Sequence, residues 1–256
     1  MALILTKIET MHPDWYFSFF DQIFKRTTYR QEVDLVNSLY PISNSDVLEI
    51  GAGKGYHSAE IILHKPKRLG LVDIEPESIE ILMNKFSDYQ NVEFYQSDAF
   101  ILRLQYPYSI SLVYYSILQQ VASLDTFKSR IKYILDNLVV SDGLLGFEYI
   151  DYEVSINIYP DGVANSVIER PDIKVNVKSM YSEESIKIQY YGQIKKRDIY
   201  YSVDLIKLDS SILENLFLEL NVIEVERLNL DDTKRRKMSF IKKRASHQQN
   251  VSAMVP

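Results

Sequence analysis

Val47-Leu48-Glu49-Ile50-Gly51-Ala52-Gly53-Lys54-Gly55 decides the fold of this chain. An apolar run interrupted by one acid empties into a G-x-G-x-G turn. About twenty residues further on, Leu69-Gly70-Leu71-Val72 forms a second apolar run that ends in Asp73. Together they predict a strand, a tight glycine turn, a helix and a second strand ending in a carboxylate. In α/β folds that unit holds an adenosine-containing ligand.

The form of the turn narrows the ligand. A dinucleotide fingerprint needs G-x-G-x-x-G, whose third glycine lets the helix close on the strand; here Tyr56 occupies that position. No Gly-Lys-Ser/Thr follows, which excludes a phosphate loop. A G-x-G-x-G turn preceded by Glu49 suits a ligand with an amino-acid tail, because glycine lets the backbone approach closely. Asp73 stands where an acid accepts from both ribose hydroxyls. S-adenosylmethionine fits these features better than a dinucleotide.

Val47 to Gly55 resembles the first motif of the class I S-adenosylmethionine-dependent methyltransferases. Leu71-Val72-Asp73-Ile74-Glu75-Pro76-Glu77 resembles their second-strand motif, and Val92-Glu93-Phe94-Tyr95-Gln96-Ser97-Asp98-Ala99 their third. The three occur in order and at the family's spacing, and the likeness covers residues 15–150. It implies S-adenosylmethionine as cofactor, with Glu49, Gly51, Ala52 and Gly53 about its tail, and Asp73 and Ile74 at its ribose. Asp98 and Ala99 would lie at its adenine, Asp98 contacting the amino group. It further implies that Tyr29, in a Tyr29-x-x-Glu32 pattern, and Tyr115 approach the cofactor.

Strands and helices alternate through the first 150 residues, which predicts an α/β fold with a doubly wound, mostly parallel sheet, seven-stranded by the resemblance. The strands fall at Asp46–Ile50, Arg68–Val72, Val92–Tyr95, Ser109–Tyr114 and Gly143–Tyr149. Ahead of them, residues 13–39 read as helical, with Trp15, Phe17, Phe20 and Phe24 followed by Val33, Leu35, Val36 and Leu39, and the resemblance implies that this segment covers the cofactor. After them the period changes. Ile173, Val175 and Val177 alternate with polar residues, as do Ile186, Ile188 and Tyr190, and then Ile199, Tyr201, Val203 and Leu205. That predicts a three-stranded antiparallel meander with no helices between its strands. Ser211-x-x-Glu214 reads as a capping box for the next helix, and Val222–Arg227 with Met238–Lys242 close the sheet. The expected organisation is a cover over 1–44, a core over 45–152 and 208–244, an inserted β-layer over 153–207, and a disordered polar tail over 245–256. An insertion after the fifth strand is similar to that of small-molecule family members, including the N,N-dimethyltransferases of amino sugars. There the added sheet covers the acceptor site or forms a homodimer contact.

Composition excludes several chemistries. The 256 residues contain no cysteine, hence no disulfide, zinc thiolate, iron–sulfur cluster or thiol nucleophile. The four histidines form no metal-ligand pattern, so no metal is expected. A net charge of −6 argues against a nucleic-acid partner, and the run Lys234-Arg235-Arg236-Lys237 is expected to be a solvated turn and strand edge. No apolar run is long enough for a membrane span or a signal peptide, so the expected setting is cytoplasmic.

Methyl transfer needs positioning more than acid–base chemistry. The acceptor is expected at the carboxyl ends of the fourth and fifth strands. Many relatives carry His-His where Gln119-Gln120 stand here, so a histidine base is missing at that point. Gln120, Glu148 and His12 are the candidate catalytic residues: Gln120 as an orienting group, Glu148 as an acid holding an ammonium or taking its proton, His12 as a group reaching over from the cover. The predicted activity is methyl transfer to N or O of a small molecule of secondary metabolism. The alternatives are a non-catalytic cofactor-binding or protein-interaction module, and an RNA methyltransferase using the basic run.

Overall fold

The structure, a computed structural model, describes residues 26–194 and 197–244. His12, Trp15, Phe17, Phe20 and Phe24, the first part of the expected cover and the tail from residue 245 lie outside the described residues. The chain runs α1 (Arg26–Leu39), β1 (Asp46–Ile50), α2 (Tyr56–Ile61), β2 (Arg68–Asp73), α3 (Pro76–Lys85), β3 (Val92–Gln96), β4 (Tyr108–Val113), α4 (Leu124–Asn137) and β5 (Val139–Ile150). It continues through α5 (Tyr152–Ile158), β6 (Val163–Arg170), β7 (Ile173–Tyr181), β8 (Ser185–Ile194), β9 (Arg197–Ile206), α6 (Ser210–Glu219), β10 (Val222–Asn229) and β11 (Arg236–Lys243).

A seven-stranded sheet has the order β10-β11-β5-β4-β1-β2-β3. β1 pairs in parallel with both β2 and β4, β2 with β3, and β4 with β5, while β11 lies antiparallel between β5 and β10. The chain proceeds outward from β1 to β3 and then returns to β4 on the other side of β1. The strand order therefore reverses between β1 and β4, where open α/β sheets form their ligand crevice.

Both faces of the sheet are covered, so its central strands are apolar on both sides. On one face α4 and α6 contribute Phe127, Ile131, Leu213 and Phe217 to a cluster over Leu48, Val113 and Phe147. On the other, α1 and α3 place Val33, Val36, Ile79 and Leu82 against Val47, Leu69, Leu71 and Phe240. Val33 and Val36 share one stripe of α1 with Tyr29, at spacings of three and four residues.

The inserted layer departs from expectation. It is a four-stranded antiparallel sheet, β6-β7-β8-β9, preceded by the short helix α5. Neither β6 nor α5 was predicted. β6 puts Val163 and Val167 outward and Ala164 inward, so it lacks clean alternation. Asp151 starts α5 by accepting from the Val154 amide at 3.0 Å. Ala164, Tyr181, Ile186, Ile188 and Leu205 on the inner face pack against Ile150, Tyr152 and Ile156. Helix α6 is also capped differently. Asp209, not Ser211, accepts from the Ile212 amide at 2.9 Å, and Ser211 donates its hydroxyl to the same carboxylate.

Candidate active site

The glycine turn lies at the carboxyl end of β1 and is braced from two sides. The Gly51 and Ala52 amides both donate to the Val72 carbonyl, at 2.8 and 3.0 Å. The Gly53 amide donates to Asp73 Oδ2 at 2.8 Å, and Asp73 Oδ1 accepts from the Glu75 amide at 2.9 Å. Lys85 Nζ reaches over from α3 to the carbonyls of Lys54 and Gly55, at 3.0 and 2.6 Å. Gly51 has φ +72°, which favours glycine, and a Cβ there would meet Ile117 Cδ1 at 2.2 Å, so that side chain would have to move aside. At Gly53 a Cβ would meet nothing within 4 Å. The turn is thus packed tightly at Gly51 and open at Gly53.

Glu49 lies buried below the turn and accepts from the Ser58 hydroxyl. Burial pushes its carboxyl upward, against the opposing influence of His57, Ser58 and Lys85. Beyond the next strand, Asp98 Oδ1 accepts from the Phe100 amide at 2.9 Å, with Ala99 buried beside it. Arg130 lies 4.2 Å over the Phe100 ring; burial lowers its pKa and the Asp98 charge opposes that shift. Ile74, at the end of β2, is 61% exposed, a large apolar side chain beside Asp73.

The cover helix closes the same crevice. Tyr29 is buried and stacks on Tyr56 at 5.0 Å, with the His57 and Tyr115 rings steeply inclined to it. One turn on, Glu32 Oε2 accepts from His57 Nε2 at 2.7 Å, and the His57 ring lies flat on Tyr114 at 3.6 Å. Desolvation would raise the Glu32 pKa, but the His57 bond and the Arg236 charge together hold it below the usual range.

At the carboxyl end of β4, Tyr115 and Ser116 have φ +57° and +53°, a left-handed pair strained for non-glycine residues. Glu148 Oε2 accepts from the Tyr115 amide at 2.7 Å, and its Oε1 accepts from Arg236 Nε at 2.9 Å. Gln119 is fully buried and bridges the chain on both sides of the inserted layer. Gln120 is exposed and donates to the Tyr115 carbonyl at 3.2 Å. Asp151 accepts from Lys237 Nζ at 2.7 Å. Tyr190, on the inner face of the inserted sheet, is pushed up to about 12 by burial and by Tyr201, with Arg236 opposing. Glu148 is therefore tied to two donors, and Gln119 is a structural bridge.

No family model matches the chain. A segment of 83 residues is 34% identical to the ribosomal RNA small subunit methyltransferase A of Sulfurihydrogenibium sp. (strain YO3AOP1), covering 32% of this chain and 31% of that protein. Among solved structures the chain is similar to the CcbJ methyltransferase from Streptomyces caelestis, with TM-score 0.71 and 15% identity over 89% of this chain and 96% of that one. It is also similar to SAM-bound CalS10, an amino pentose methyltransferase from Micromonospora echinaspora involved in calicheamicin biosynthesis. There the TM-score is 0.66 and the identity 12%, over 93% of this chain and 100% of that one. The chain has the class I methyltransferase fold.

Within the class I methyltransferase fold the crevice brings Glu49, Gly51, Ala52, Gly53, Asp73, Tyr29 and Tyr115 to one place, with Asp98 and Ala99 beyond the adjacent strand end. The basic run is solvated only in part: Lys234 lies exposed in the turn, while the three cations after it have partners. Arg236 pairs with Glu32 and Glu148, each at 2.9 Å, Lys237 with Asp151, and Arg235 donates to the Tyr181 hydroxyl. Sequence reasoning missed Arg236 because four consecutive cations look solvated. The available signal was their position at the start of a strand, where alternate side chains must face the interior. Among the described residues, no group of three or more histidine, aspartate or glutamate side chains is placed to hold a metal, and no helix is long and apolar enough to cross a membrane.

Proposed function

We propose that this chain is an S-adenosylmethionine-dependent methyltransferase acting on N or O of a small-molecule acceptor in secondary metabolism. The observation that carries this reading is the open Gly53 backbone held against Asp73, with Asp98 just past the end of the adjacent strand. A cradle without side chains beside a carboxylate suits an amino-acid tail next to a ribose, and Asp73 keeps lone pairs beyond the one on each oxygen that braces the loop. Glu49, Gly51, Ala52 and Gly53 would hold the tail, Asp73 and Ile74 the ribose, and Asp98 and Ala99 the adenine. When bound, S-adenosylmethionine supplies an electrophilic sulfonium methyl group.

The chain's own contribution is orientation and exclusion of water. Tyr29 and Tyr115 wall the crevice from the cover and from the loop after β4, and burial keeps the Tyr115 phenol protonated far above neutrality. Tyr190, on the inner face of the inserted sheet, likewise stays a phenol at physiological pH. Glu148 orients the Tyr115 amide, and Gln120 braces the same residue's carbonyl. With acceptor and donor aligned in a dry site, displacement asks little further of general acid–base groups; a base such as His12 serves only to free an amine lone pair.

We assign the core to residues 45–152 and 208–244 and the inserted layer to 153–207, in a cytoplasmic protein. The outer face of that layer, with Val167, Tyr191 and Tyr200 exposed, supports a homodimer contact, which light scattering of a Tyr200→Lys variant tests. An RNA acceptor is the second reading, favoured by the match to a ribosomal RNA methyltransferase. The internal pairing of Arg236 and Lys237 argues against it, and salt-dependent retention on RNA would revive it. The deciding experiment is calorimetric titration with S-adenosylmethionine and S-adenosylhomocysteine. Micromolar binding supports the pocket, and methyl transfer in a following screen of amine and hydroxyl acceptors separates the enzyme from a non-catalytic cofactor-binding module. No binding by folded protein shifts the reading to an interaction module.

A further inference from the structure

Arg236 enters the interior from the first position of β11, and its guanidinium is bound on two sides. Nη2 lies 2.9 Å from Glu32 Oε1 on the cover helix α1, and Nε lies 2.9 Å from Glu148 Oε1 on β5. Both carboxylates are only 3% exposed and Arg236 is 20% exposed, so each charge relies on the others for its compensation. Each carboxylate uses its second oxygen on a group that shapes the crevice. Glu32 accepts from His57, just past the glycine turn, and Glu148 accepts from the amide of Tyr115. Tyr115 in turn meets Tyr29, one turn before Glu32 on α1. A closed circuit results: Arg236 to Glu32, along α1 to Tyr29, across to Tyr115, and through Glu148 back to Arg236.

We propose that Arg236 is a positioning residue that clamps the cover helix to the loop after β4, so that the cofactor side and the acceptor side of the crevice close as one unit. The proposal rests on the methyltransferase reading for its ligand and on this geometry for its mechanics. Arg236 suits the task because its Nε–H makes a directed hydrogen bond to Glu148 while Nη2, without hydrogen-bond alignment, pairs with Glu32 Oε1 by charge at 2.9 Å. A single ammonium cannot place that spread of positive charge at both sites. Holding Tyr115 and Ser116 in left-handed backbone needs such support.

The test uses the full chain as wild type, Glu32→Gln, Arg236→Lys, Arg236→Met and the Glu32→Gln/Arg236→Met pair. Each is titrated with S-adenosylhomocysteine, and amide exchange is followed over residues 26–39 and 114–121 with β1–β3 as internal reference. The clamp predicts about tenfold weaker binding in Arg236→Met, faster exchange in both segments together, and partial recovery in Arg236→Lys. Glu32→Gln should add almost nothing once Arg236 is gone. Loosening of only one segment, additive effects of the two changes, or exchange that rises uniformly with β1–β3 would overturn it. Should Arg236→Met not fold, Glu32→Gln decides alone, by whether residues 114–121 loosen together with α1. If wild type fails to bind S-adenosylhomocysteine, the methyltransferase reading falls, and exchange without ligand still decides the clamp.

Discussion

Gln119, in the loop after β4, donates from Nε2 to the carbonyl of Ile206, 87 residues away, at 2.8 Å. The same amide nitrogen donates to the Ile150 carbonyl at 3.1 Å, and Oε1 accepts from the Ile150 amide at 2.9 Å. Ile150 ends the strand from which the inserted layer departs, and Ile206 ends the strand by which it returns. One buried amide therefore ties both ends of the layer to the loop after β4. Gln119→Leu keeps the volume but leaves these backbone groups without their partner, a loss of about 2–4 kcal/mol. Urea unfolding should show that loss, with faster exchange at Ile150 and in β9. A loss under about 0.5 kcal/mol would mean that water replaces the amide at no cost.

Asp73 uses one lone pair on each oxygen to hold the Gly53 and Glu75 amides, at 2.8 and 2.9 Å. Asp73→Asn replaces one of those acceptors with an NH2 group and forces it against a backbone donor. Asp73→Ala removes both acceptors and the proposed ribose contact. S-adenosylhomocysteine affinity should fall about 10- to 100-fold in Asp73→Ala, and Asp73→Asn should not recover wild-type binding, both read by calorimetry. Unaltered affinity in Asp73→Ala would remove Asp73 from the ligand site.

The parallel half of the fold was legible because its signals are local. The glycine turn, the acid at Asp73 and the apolar strands each sit within a few residues of one another, and helix α4 shows Phe127, Ile131 and Ile134 on one stripe. Features set by long-range pairing were not legible. β6 carries apolar residues on both faces, and α5 is only seven residues long, so neither leaves a clear period. Ser211-x-x-Glu214 matches a capping box, yet Asp209 reaches the orphan amide first. Glu32 and Glu148 could be noticed as acids, but Arg236 lies 88 residues beyond Glu148, and no local pattern announces their pairing.

Gly51 is where the β1 turn and the β4 loop touch. Gly51→Ala meets two obstacles: φ +72°, unfavourable for an L side chain, and Ile117 Cδ1 at 2.2 Å from the new methyl. We expect a loss of about 2–4 kcal/mol, and about 1–2 kcal/mol of it should return in Gly51→Ala/Ile117→Ala relative to Ile117→Ala alone. Denaturant unfolding of the four proteins measures the cycle. Full additivity would show that Ile117 yields freely, leaving backbone strain as the whole cost.

Glu32 and Glu49 should respond to pH in opposite senses. The Glu32 carboxyl is held below the ordinary value near 4.5 by His57 and Arg236, which together outweigh its burial. A depressed folded value adds stability that is present above the unfolded pKa and lost as pH falls through the folded one. Glu49 is raised instead, chiefly by burial. It favours the folded state below its unfolded pKa, and that contribution is lost as pH rises through its folded value. Glu32→Gln should therefore flatten the loss of stability below about pH 4.5 and be most damaging near neutrality. Glu49→Gln should gain on wild type as pH rises from acid toward neutral, because the amide keeps a partner for Ser58 without burying a charge. Thermal unfolding of the three proteins from about pH 3 to 8 separates the two. Parallel curves for wild type and Glu32→Gln across the acid limb would show that Glu32 takes up its proton equally in both states and that its pairing with Arg236 adds nothing to the fold.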